Sequence, residues 1–94
     1  LGDLPEDYRQ FAGEIYPGRF IVLGDRGDAV LLLQQQINRI AARDPDIPAV
    51  AEDGIFGRGT QAAVLALQRQ LGIDPTGAVG PVLWAQIIAR GAGY

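Results

Sequence analysis

The sequence predicts an all-α fold, a three-helix bundle with an N-terminal helical or extended appendage. Three observations predict it. Apolar residues recur at helical spacing in three stretches: Val30, Leu33, Ile37 and Ile40; then Val64, Leu67 and Leu71; then Leu83, Trp84, Ile87 and Ile88. Glycine-rich turns precede each stretch, and the one short apolar run outside them, Phe20–Leu23, is too short to build a sheet alone. The chain also repeats itself. Ala29–Ile37 reads AVLLLQQQI and Ala63–Leu71 reads AVLALQRQL, identical at six of nine positions, while Asp53–Gly57 (DGIFG) is echoed by Thr76–Gly80 (TGAVG). One unit of glycine turn, apolar anchor and short amphipathic helix is therefore used more than once, and three such helices bury a core without a sheet.

The elements follow in order. Asp3 is placed to cap a short helix with Pro5 in its first turn, and Tyr8, Phe11, Ala12 and Ile15 share one face of it. Tyr16–Pro17–Gly18 ends that pattern, and Phe20–Leu23 is expected to lie extended on the core. Gly24–Gly27 turns the chain into the first strong helix, with Asp25 as its expected cap and Asp28 in the first turn near the positive end of the helix dipole. Gln34, Gln35, Asn38 and Arg39 are assigned to its wet face, and Pro45 sets its end near Ala42 or Arg43. Ile47 and Val50 anchor the loop that follows. The second helix starts after DGIFG and stops at Gly72, where a left-handed C-terminal cap belongs. Pro81 opens the third, which runs to about Arg90 and is stopped by Gly91. Three regions result: an appendage or linker (1–23), the bundle (24–90) and a short tail (91–94).

Composition narrows the chemistry. The 94 residues contain no Cys and no His, and no Ser or Lys either, so the only aliphatic hydroxyls are Thr60 and Thr76. Most nucleophilic and metal-dependent mechanisms lack their parts, and no catalytic residue, metal site or cofactor is expected. The net charge of −3, with no basic recognition helix, weighs against nucleic acid as a partner. No apolar run approaches the roughly 20 residues that span a bilayer. No signal peptide is visible at Leu1–Asp3, and the chain reads as a fragment of a longer protein.

The three segments GDRGDAVLLLQQQIN (Gly24–Asn38), EDGIFGRGTQAAVLALQRQLGI (Glu52–Ile73) and TGAVGPVLWAQI (Thr76–Ile87) together resemble the peptidoglycan-binding domain of bacterial wall hydrolases. That family is similarly patterned: a glycine turn, a helix with a Leu-Gln pair, an Asp-Gly-x-Phe-Gly turn, a second helix with an aromatic-Gln pair, and a Gly-Pro-x-x-Trp third helix. The region before Gly24 and the Ile47–Pro48 loop look like the subgroup found in spore-forming and gut Firmicutes. The resemblance implies a bundle of the peptidoglycan-binding type and a monomeric domain fused to a catalytic one. It further implies non-catalytic binding of glycan strand or peptide stem, outside the cell or in the wall, the spore envelope included. A protein-interaction or spacer role, with the fold kept and the ligand lost, is the alternative. Leu67, Arg58 and Leu83 depart from the family pattern, standing where an aromatic, a proline and a threonine are usual.

The candidate ligand-binding residues are Asp53, Gly54, Phe56, Gly57, Arg58, Thr60 and Trp84. Exposed amides at the start of the second helix suit a carboxylate of a peptide stem, and Arg58 can clamp the same group. Each candidate also has a structural reading: Gly54 and Gly57 as turn formers, Phe56 as a core plug, Trp84 as core rather than a sugar-stacking ring. The adjacent carboxylates Glu52 and Asp53 do not form a glycosidase pair, which needs two carboxyls about 5–9 Å apart across a cleft.

Overall fold

The computed structural model describes residues 16–93. Three helices follow one another: α1 (Asp28–Ala41), α2 (Arg58–Leu71) and α3 (Pro81–Gly91), with no strand among the described residues. The expected N-terminal helix face (Tyr8, Phe11, Ala12, Ile15) and Tyr94 lie outside the described residues.

Each helix begins on a glycine: Gly27, Gly57 and Gly80 are the N-caps, and no side chain caps any of the three. Their carbonyls accept the first helical bonds, from Leu31 (3.1 Å), Gln61 (3.0 Å) and Trp84 (2.9 Å). Pro81 at the start of α3 lacks only an amide that has no partner there. Gly72 closes α2 in the left-handed conformation (φ 71°). The Gly72 amide donates to Arg69 and the Ile73 amide to Gln68, the paired bonds that satisfy the last carbonyls of a helix.

The core is where the three apolar stripes meet. Val30, Leu33, Ile37 and Ile40 of α1, Val64 and Leu67 of α2, and Leu83, Trp84, Ile87 and Ile88 of α3 are buried, with Ile21, Ile47, Phe56 and Val79 plugging in from the loops. α1 packs mainly along α3. Gly91 is buried at that contact, and a Cβ there would stand 2.8 Å from Cβ of Gln36, so this glycine permits a close helix approach. It belongs to the last turn of α3, and the helix stop expected at Gly91 falls at Ala92.

The loops are held by short antiparallel bridges, Arg26 with Ile55 and Ile21 with Val79. Of the Phe20–Leu23 stretch, only Ile21 enters the core; Phe20, Val22 and Leu23 are exposed. Tyr16 packs on Trp84, ring centroids 5.3 Å apart. Among the described residues before Gly24, Tyr16 and Ile21 therefore contribute to the bundle.

Four expectations are corrected. Asp25 does not cap α1: its Oδ2 accepts the Val22 amide and the Arg19 guanidinium, both at 2.9 Å, which tightens the preceding turn. Gln34 is buried rather than wet, because the DGIFG turn folds over it. Asn38 is half-buried and pins the loop, its Nδ2 donating to the Val50 carbonyl and Glu52 Oε2 while its Oδ1 accepts the Val50 amide. Leu71 is exposed: it is the last residue of α2, beside the Gly72 cap, where its repeat counterpart Ile37 sits well inside α1.

Candidate functional site

The site expected around DGIFG is organised by a residue outside it. Gln34 points its amide from α1 into the turn, and every polar atom of that amide is used. Its Oε1 accepts the Asp53 and Gly54 amides at 3.0 and 2.8 Å. Its Nε2 donates to Asp53 Oδ1 (3.1 Å), the Ile55 carbonyl (2.9 Å) and Thr60 Oγ1 (3.0 Å). Asp53 Oδ1 also accepts the Ile55 amide at 3.0 Å. Gly54 takes φ 71°, a conformation side chains resist, which lets the chain double back over Gln34. Phe56, fully buried, anchors the turn from below.

The second turn repeats this construction. Gln68 holds in α2 the repeat position that Gln34 holds in α1, and it is likewise buried. Its Oε1 accepts the Gly77 amide (2.9 Å), and its Nε2 donates to Thr76 Oγ1 (3.1 Å) and the Ala78 carbonyl (3.2 Å). Thr76 Oγ1 accepts the Ala78 amide at 3.2 Å, as Asp53 does that of Ile55. Val79 stands in for Phe56, and Gly77 (φ 78°) for Gly54.

Among the candidate residues, Asp53 and Arg58 present side chains to solvent, while Gly54 and Gly57 are partly exposed. Phe56, Thr60 and Trp84 are buried, so their side chains reach no surface ligand; they are corrected to scaffold. The amides of the turn are also spent, on Gln34 for Asp53 and Gly54, on Asp53 for Ile55, on the Asp25 carbonyl for Phe56 and on the Ile55 carbonyl for Gly57. The N–H groups left for an anion belong to the uncapped first turn of α2, at Arg58 and Gly59.

A shallow concavity lies between the DGIFG turn and the start of α1, lined by Arg26, Gly27, Asp28, Leu31, Asp53, Gly54 and Ile55. Arg58 is outside it. Arg26 and Leu31 were not singled out from the sequence, where they stand in the Gly24–Asn38 segment only as a turn residue and a helix residue. Gln34 had a signal, its repetition at Gln68. The bonds from the Ile55 amide, first, and Gln34, second, hold the Asp53 carboxyl below the ordinary aspartate value, so it is charged at neutral pH. No group of acidic, His or Cys residues among the described ones is arranged to hold a metal ion.

Comparison with known proteins places this geometry. The chain is 44% identical over 64 residues to a protein of Kitasatospora aureofaciens described as "Uncharacterized protein in bpoA1 3'region". The match covers 67% of this chain and 50% of that protein, so the chain spans about half the length of that curated relative. No solved structure matches it. The model of one family, described as "Putative peptidoglycan binding domain", matches residues 26–87, from the turn before α1 into α3. With both gripped turns and nearly all of the three helices inside that span, the chain belongs to the peptidoglycan binding domain family.

Proposed function

We propose that this chain is a non-catalytic binding module for bacterial peptidoglycan, holding an attached cell-wall hydrolase against its polymer outside the cell or in the wall. The observation that carries this reading is the family match across residues 26–87. Asp53, Arg58 and the backbone around Gly54 and Gly57 form the proposed contact surface. There the Arg58 guanidinium and the first-turn amides of α2 suit a peptide-stem carboxylate. Catalysis is disfavoured by the side chains themselves. A glycosidase acid must be held protonated, whereas the Asp53 carboxyl is held below its ordinary value in an exposed turn. No helix among the described residues is long and apolar enough to cross a membrane.

The test is retention on purified, insoluble sacculi of several peptidoglycan types. Retention above that of an unrelated acidic domain, weakened by Arg58→Ala and without release of soluble fragments, supports the reading. Equal retention of the two domains sinks it.

A further inference from the structure

The two gripped turns carry different surfaces, and the second has features that the first lacks. The Ile21–Val79 bridge sets Phe20 opposite Gly80, and strand alternation turns Ile21 inward and Phe20 outward. Phe20 lays the tip of its ring on the Gly80 backbone; a Cβ on residue 80 would stand 2.6 Å from its Cε2. Sixty per cent of the residue remains exposed. Beside it opens an apolar groove walled by Ile73 (44% exposed) and Val82 (73% exposed), with Thr76 and Asp74 on its rim. Both lone pairs of the Thr76 hydroxyl are taken by Gln68 and Ala78, which leaves its proton to donate outward. Asp74 adds an acceptor, and no cation lines the groove.

We infer that this groove is a second binding site, which takes a neutral N-acetylated pyranose ring of a glycan strand, with Phe20 as the platform under the sugar. The inference rests on the wall-binding reading and deepens it by separating a sugar site from the peptide-stem surface at the first turn. A pyranose has an apolar C–H face and a polar hydroxyl rim. The groove matches both, with an aromatic ring and aliphatic walls for the face and the N-acetyl methyl, and Thr76 and Asp74 for the rim. The lone charge, a carboxylate, disfavours an anionic peptide stem.

The experiment uses chitotetraose, a soluble peptide-free oligomer of N-acetylglucosamine, titrated into the labelled chain and followed by amide chemical shifts, alongside sacculus retention. The expected result is shift changes centred on Phe20, Ile73, Thr76 and Val82. Phe20→Ala and Val82→Arg, both at exposed positions, should each weaken chitotetraose binding about tenfold while the remaining spectrum stays native. Retention on sacculi without shifts at the groove overturns this inference and leaves the wall-binding reading standing. Shifts at the groove without retention support the inference and sink that reading. Undiminished chitotetraose binding by both variants, or wild-type self-association that Phe20→Ala abolishes, also overturns it.

Discussion

Gln34 and Gln68 occupy the same position of the internal repeat, and each binds the turn that launches the next helix. The scaffolding is alike to the level of individual bonds: amide oxygen to the glycine amide, amide nitrogen to the leading side chain and to the carbonyl two residues on. The surfaces are not alike. The first turn has a charged leading residue, Asp53, an aromatic plug and a concavity lined in part by the charged residues Arg26, Asp28 and Asp53; the second has Thr76, an aliphatic plug and an apolar groove. A turn whose backbone is held from behind by a buried glutamine is free to vary what it shows to solvent. That freedom is the physical basis for assigning the two surfaces different ligands.

The comparison can be broken at several points, and the largest effect belongs to the plugs. Phe56→Ala should cost about 4 kcal/mol of stability in urea unfolding and Val79→Ala about 2, because the larger side chain leaves the larger cavity. Equal losses would mean that the first turn collapses onto its cavity. The glutamines come next. Gln34→Ala strands the Asp53 and Gly54 amides and the Thr60 hydroxyl and should cost about 3 kcal/mol. Gln68→Ala strands fewer partners and should cost about 2. The reverse order would show that the second turn carries more of the bundle. Among the glycines, Gly54→Ala should lose about 1 kcal/mol through its positive φ alone. Gly77→Ala should lose somewhat more, since its Cβ would also stand 3.2 Å from Cγ of Gln61.

The smallest effect is the most discriminating. Asp53 titrates and Thr76 does not. The folded-state pKa of Asp53 is depressed, so its contribution is present in full above the ordinary aspartate value and is lost as pH falls through the folded one. Hydrogen exchange at the Ile55 amide, bonded to Asp53, should lose protection in acid while that at the Ala78 amide, bonded to Thr76, keeps it. Asp25 and Asp44 are depressed too, by the Val22 amide and by Gln70 respectively, so global stability should also decline in acid. In Asp53→Asn the Ile55 amide should keep whatever protection it has across the same range. Parallel acid loss at Ile55 and Ala78 would assign the effect to those other carboxylates.

Much of this molecule was written locally. The three apolar stripes, the glycine before each helix, Pro81 at a helix start and Gly72 at a helix end depend on spacing and backbone conformation within a few residues. The repeat announced that one unit had been used again. The polar residues were less legible. Periodicity sends Gln34 to the wet face, and only a turn 19 residues further along the chain, folded over it, makes it a core residue. Asp25 has the chemistry of a helix cap, but Val22 and Arg19 reach it first. Phe56, Thr60 and Trp84 stand in recognisable motifs, yet their surroundings bury them and leave Asp53 and Arg58 outside.

The sequence by itself determined the helices, most of their ends and the family, because apolar periodicity and glycine turns act over short stretches of chain. The tertiary structure alone decided which polar groups are spent inside and which face solvent. A hydrogen bond across the fold depends on where a distant turn comes to rest, and nothing local to a glutamine records whether such a partner will arrive.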